Sequence, residues 1–421
     1  MWAYLQILVV MLLGSAWAIL ETVDPVCWAA CKKTDEMLQL ELMLLFNSTE
    51  PSDMSSSPEA PVIDAEKKFQ FRAGSFGTIQ LDDGFKFDQQ VGIYSGKVEG
   101  GSEDTFILKH MNDCREKLSL DGFDDHDKVP LTREYIFSKV LESIEPGLVP
   151  EMKWVSPLVP LSDTNKDDWG FDWKNGFTDP AYTARCIEEG GSVRSIVEQK
   201  VGKTVQWYLS SFVSMIPRIS FVVNILYQQM LIFTRTTFKL LERLHATGVI
   251  HGDMHWDNIA FTKNSMEDFD SESLSLIDLG SSATICGSQY ALKTSPHYPD
   301  LLRSPWQFIP NENRGFRDDI FQTLQMLSIC MSFYKMIHVL SDSDTVLDFK
   351  LSYSYFGSDV FVVPINAEIG KALNELVDYV RKIPTFDTPI DYKFIYSQLD
   401  KAEAALKSDD AAAENNTNAA A

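Results

Sequence analysis

Apolar and polar residues change rhythm about half-way along the chain. In the first half, Val91 to Val98 and Thr105 to Lys109 read as strands, separated by the hairpin signal Glu99-Gly100-Gly101-Ser102. Thr132 to Ile144 has helical spacing instead, with Ile136, Val140, Leu141 and Ile144 on one side and Pro146-Gly147 as the stop. Two more strand-like runs, Leu148 to Val155 and Ser195 to Glu198, flank an irregular Trp/Asp/Gly-rich insertion from Ser162 to Gly191. The second half turns helical. Ser220 to His245 is apolar around its whole circumference, as expected at the centre of a lobe, and Arg235, Lys239 and Arg243 within it argue for a core helix rather than a membrane span.

The ends read differently. Leu5 to Leu13 is almost continuously apolar and Ala16-Trp17-Ala18 offers the small-x-small pattern of signal cleavage, so residues 1–18 are predicted to be a signal peptide, although no Lys or Arg precedes the apolar run. The mature chain then carries no predicted span and enters the secretory pathway. Residues 19–65 read as a linker, on the Ser-, Pro- and acid-rich run Thr49 to Pro61, and 401–421 as a disordered Ala/Asn/Asp-rich tail. A chain of 421 residues with 45% hydrophobic content can fill two lobes between them. Its net charge of −23 argues against nucleic acid or an anionic membrane as partner. Six cysteines after the cleavage site allow 15 disulfide pairings, and Asn47-Ser48-Thr49 is a glycosylation sequon.

The chemistry concentrates in His251-Gly252-Asp253-Met254-His255-Trp256-Asp257-Asn258, followed after a hairpin-like Asn264 to Ser273 stretch by Ser275 to Ile277 and Asp278-Leu279-Gly280. Phosphoryl transfer needs a carboxylate to take the acceptor hydroxyl's proton and oxygen ligands to hold magnesium on the phosphates. Asp253 suits the first task, Asn258 and Asp278 the second.

The spacing H-x-D-x-x-x-x-N followed by D-x-G resembles the eukaryotic protein kinase-like superfamily. That resemblance implies an α+β, bilobal fold: a β-rich N-lobe over 66–201, with the 162–191 insertion, and a helical C-lobe over 202–400. It implies ATP and Mg2+ as cofactors and a protein substrate. Lys109, ending Thr105-Phe106-Ile107-Leu108-Lys109, matches the phosphate-binding lysine, and Glu134 its helix partner, with Glu142 in competition. The glycine-rich loop fits either 72–79 or 85–92. The second lies at the usual distance before Lys109 and is favoured, though it lacks the glycines. Ser195 to Gly202 resembles the adenine-binding hinge, which would place Glu198 and Val201 against the cofactor; Asp319 matches the aspartate that steadies the catalytic loop, and His251 and Leu279 match packed spine residues. Asp378 to Arg381 with Phe386, Pro389, Asp391 and Tyr392 resembles the casein kinase 1 and vaccinia-related branch, and the poor glycine loop resembles secreted, rhoptry-type apicomplexan kinases.

Three departures qualify this reading. Gly252 stands where an arginine would pair with a phosphorylated activation segment, His255 where serine/threonine kinases usually carry lysine, and Ser304-Pro305-Trp306 lacks the glutamate of its motif. A catalytically weak scaffold, on the poor glycine loop, and a small-molecule kinase of the aminoglycoside or choline type, whose loop resembles H-G-D-x-H, are the alternatives.

Overall fold

The computed structural model describes residues 25–47, 70–73, 77–81, 86–87, 91–100, 105–113, 130–156, 159–160, 192–209, 220–262, 273–286, 314–340 and 367–420. The predicted signal peptide, Thr49 to Pro61, the whole 162–191 insertion and Ser304-Pro305-Trp306 lie outside these residues.

The first half forms one antiparallel sheet. Its path runs β1 (Gln70–Ala73), β2 (Gly77–Leu81), β4 (Val91–Val98), β5 (Thr105–Asp113), β8 (Ser192–Gln199), β6 (Met152–Val155); the two-residue β3 (Lys86–Phe87) adds to β4 and β7 (Val159–Pro160) to β8. Helix α2 (Pro130–Ile144) packs on one face. Alternation along the strands places Ile79, Tyr94, Phe106, Leu108 and Val197 together in an apolar cluster, which leaves Lys109 and Glu198 on the opposite face, toward α2.

The sheet register resolves the glycine-loop question. β4 pairs with β2 through Ile79↔Val98 and with β3 through Phe87↔Gly92, while Ile93 lies opposite Lys109. The paired ends Phe87 and Val91 therefore lie toward the Lys109 end of the sheet. The paired ends of β1 and β2, Ala73 and Gly77, lie at the other end, beside Val98, so the 85–92 register is the one the strand pairing supports.

In the second half, α3 (Ser220–Ala246) is the central helix, packed by α4 (Phe316–Leu340) and α6 (Tyr392–Ala420), with α5 (Ala367–Arg381) against α6. Between α3 and α4 the chain makes two short pieces of pairing: β9 (Val249–Ile250) with β12 (Ala283–Thr284), and β10 (Ile259–Phe261) with β11 (Leu274–Leu276). Among the described residues no helix is long and apolar enough to cross a membrane.

Two expectations are corrected. The 19–65 segment is not all linker, because Pro25–Asn47 forms helix α1. Its Leu38, Leu42 and Leu45 are buried in the main core beside Ile136, Phe137, Val140 and Leu141 of α2, each contributing roughly 1.5–3 kcal/mol. At its other end Cys31 is disulfide-bonded to Cys286, with the two Cα atoms 6.0 Å apart. The 401–421 tail is not wholly irregular either: α6 continues to Ala420, and Ala402 and Leu406 are buried in the core, where apolar residues four apart share one helix face.

Candidate active site

The loop after β9 is positioned by one buried carboxylate. Asp319, in the first turn of α4, accepts the backbone N–H of His251 at 2.7 Å and of Gly252 at 2.8 Å. Its Oδ2 also lies 3.0 Å from His245 Nε2, and Tyr392 Oη lies 2.7 Å from His245 Nδ1. Burial raises the Tyr392 phenol well above its ordinary range, so its hydroxyl keeps its proton. Hydrogen bonds thus run from α6 through the end of α3 to α4 and into the loop.

Further contacts complete the loop's support. Gln322 accepts the N–H of Met254 at 3.0 Å, and Arg314 donates to the carbonyl of Gly252 at 2.8 Å. Gly252 has φ +80°, and a Cβ there would stand 2.4 Å from the carbonyl oxygen of Ser281. The glycine is therefore a steric requirement of this loop. His251 is fully buried, with Nε2 3.0 Å from the carbonyl of Ile277, while its Nδ1 accepts the N–H of Asp253 at 3.3 Å. Leu279 is buried in the main core.

Asp253 and Asn258 are joined locally: Asn258 Nδ2 donates to the carbonyl of Asp253 at 2.8 Å, which leaves Asn258 Oδ1 as the acceptor for a ligand. His255 Nε2 lies 3.7 Å from Asp253 Oδ2. Burial works against ionisation of Asp253, but the nearby His255, with the charges of His251 and Arg314, outweighs it and holds the carboxyl below its usual value. The His255 imidazole is raised in turn: burial opposes its charge, and Asp253 more than compensates. Asp278 adopts the left-handed conformation, φ 60° and ψ 66°, directly after the residue whose carbonyl meets His251.

On the sheet side, Lys109 is buried and donates to Glu134 of α2, with Glu198 Oε1 at 2.9 Å. Burial pushes its ammonium down, yet Glu134, Glu198 and then Asp278 prevail and hold it above the ordinary lysine range. The crowding falls on Glu134: burial, aided by Asp278 and Glu198 and opposed by Lys109, pushes its carboxyl up to about 8. Lys109 keeps its proton, and the side chains of Glu134 and Glu198 both bond it. Glu142 is used elsewhere, accepting the N–H of Met152 at 3.3 Å.

The hinge reading needs one correction. The backbone of Glu198 is inside the sheet, opposite Ile107 on one side and Met152 on the other, so this residue meets the site through its side chain rather than its backbone. Beyond it, the N–H groups of Gln199, Lys200 and Gly202 bond Glu151, Thr105 and Phe261. Val201 has no backbone partner among the described residues.

This donor set suits a magnesium nucleotide. Val201 would hold the base, Lys109 the phosphates, and Asn258 and Asp278 the ion. Among the described residues no three His, Cys, Asp or Glu side chains form a ready metal cage, so an ion here would take its other ligands from phosphate and water, as magnesium does. Arg314, Gln322 and helix α1 are the supporting elements that motif spacing did not reveal.

No protein-family model and no curated protein matches the chain. Among solved structures, vaccinia related kinase 3 is 15% identical with a TM-score of 0.43, over 81% of this chain and 91% of that one. The BubR1 kinase domain is 11% identical with a TM-score of 0.50, over 89% of this chain and 93% of that one. The fold is that of the protein kinases. In this kinase fold β5 carries Lys109, α2 carries Glu134, and the loop before β10 carries Asp253 and Asn258.

Proposed function

We propose that the protein is a secreted protein kinase that transfers the γ-phosphoryl group of ATP to serine or threonine hydroxyls of a protein. The observation that carries this reading is the loop itself: Asp253 and Asn258 bonded to each other, and pinned to α4 through Asp319. Asp253, kept ionised by His255, is the base that takes the acceptor hydroxyl's proton. Lys109, oriented by Glu134, meets the nucleotide's phosphates, and Val201 receives the adenine edge. Asn258 and Asp278 hold magnesium, which when bound neutralises charge developing on the phosphoryl oxygens. Secretion is supported by the apolar run Leu5 to Leu13 and by the Cys31–Cys286 bond, which suits an oxidising compartment.

A nucleotide-binding scaffold with little transfer is favoured by a single observation, the second carboxylate on Lys109. One experiment separates the two. Purified protein is supplied with magnesium and γ-labelled ATP and offered secretory-pathway proteins, beside Asp253→Asn with a matching melting curve. The kinase reading expects label transfer that falls by at least about a thousandfold in the variant while nucleotide binding persists. Binding without transfer in either protein supports the scaffold, and undiminished transfer by Asp253→Asn refutes the base.

A further inference from the structure

The lysine of the nucleotide site has an unusual partner. Of its three N–H donors, one goes to Glu134 and a second meets Glu198 Oε1 at 2.9 Å. The second contact is built into the sheet. Lys109 faces Ile196 and Ile107 faces Glu198 across the β5–β8 ladder, so Lys109 and Glu198 are diagonal neighbours on one sheet face. Strands on both sides of β8 fix the backbone of Glu198, and the residue is 5% exposed. Among the described residues Lys109 is the ion-pair partner of Glu134 and of Glu198 alike, and neither has another.

The charge balance follows. Lys109 is bonded by two buried acidic side chains, Glu134 and Glu198, where the phosphates of a nucleotide would arrive. The ammonium is not free to neutralise phosphate while two buried acidic side chains already take up its donors. An incoming polyanion must bring compensating positive charge with it.

We propose that Glu198 is a specificity-determining residue that makes nucleotide entry conditional on a bound divalent cation. The proposal rests on the nucleotide-binding reading above. It goes beyond the metal ligands themselves, because Glu198 holds no metal: it acts by occupying the lysine. Glu198→Gln keeps the shape of the side chain and an acceptor for Lys109 but removes the charge, which frees the ammonium for phosphate.

The test is calorimetric titration of the full chain with ATP and with ADP, in magnesium and in a chelator, for wild type, Glu198→Gln and the control Glu142→Gln. Wild type is expected to bind at least about a hundredfold more tightly with magnesium. In Glu198→Gln that ratio shrinks by tenfold or more, chiefly through tighter metal-free binding, and Glu142→Gln behaves as wild type. A ratio unchanged in Glu198→Gln overturns the proposal. So does wild type that binds metal-free ATP within tenfold of its magnesium-loaded affinity, a result that needs no variant to fold. Wild type that binds neither nucleotide under either condition removes the nucleotide-binding reading as well, and so is distinguishable from both.

Discussion

Helix α1 is held to the kinase fold by a covalent bond, and breaking that bond gives the most quantitative expectation. Cys31 and Cys286 are 255 residues apart. Opening a loop of that length releases about 5.5 kcal/mol of chain entropy to the unfolded state on the loop-closure relation, and native disulfides removed in practice cost about 2–5 kcal/mol. The lower part of that range applies here, because α1 has independent anchorage: its three leucines, the bond from Thr34 to the carbonyl of Thr247 at 2.8 Å, and the one from Thr284 to Asp35 at 3.4 Å. Cys31 also packs so closely on Gly248 that a Cβ at that glycine would lie 2.3 Å from the cysteine Cβ. Urea unfolding of Cys31→Ser/Cys286→Ser should therefore give a midpoint lower by roughly 1 M, taking a slope of about 3 kcal/mol per M. The same shift should appear in wild type unfolded with a reductant. Equal midpoints with and without reductant, together with alkylation of both cysteines in the untreated native protein, would refute the cross-link and the energetic argument with it.

Two further outcomes follow from the loop. Asp319→Ala leaves the buried N–H groups of His251 and Gly252 and the imidazole of His245 without their shared acceptor, and should cost about 3–5 kcal/mol by denaturation; a loss under about 1 kcal/mol would show that the carboxylate does not hold the loop. His255→Ala removes the largest of the influences that keep the Asp253 carboxyl low and leaves His251 and Arg314 alone against burial, which raises it. A base must be ionised to act, so transfer is lost as pH falls through the Asp253 value, and the variant's acid limb should move to higher pH; an unmoved limb would show that His255 does not tune the base.

The parts of the site that were readable in the sequence are those whose geometry is local. Asp253, Asn258 and His251 lie within one loop, and spacing alone carries their arrangement; Glu134 was separable from Glu142 only by chain order, which the contact with Lys109 now supports. Glu198 was misread because the face of a strand residue depends on pairing across many residues, and Ser195 to Glu198 by itself does not show which side chains look toward Lys109. The same non-locality hid the Cys31–Cys286 pairing. Helix α1 was obscured by its neighbour, since the Ser- and Pro-rich run after it gives the whole stretch the composition of a linker. Yet Leu38, Leu42 and Leu45, at i, i+4 and i+7, carried the helical signal.

These elements bear on how the loop is kept in order. An arginine at position 252 could answer a phosphorylated segment, but the steric fit of Gly252 against Ser281 forbids any side chain there. Permanent contacts do the ordering. The N–H groups of His251, Gly252 and Met254 all find acceptors on α4, and Arg314 holds the Gly252 carbonyl. The segment after Asp278 is fixed from the other side, where Arg133, next to Glu134 on α2, donates to the carbonyl of Ser282 at 2.7 Å. α1 then spans both regions, with leucines on α2 and a disulfide just beyond β12, whose partner strand β9 leads directly into His251. Glu134 and the Asp253 loop are thereby set by one connected scaffold, and none of its contacts requires a phosphate group.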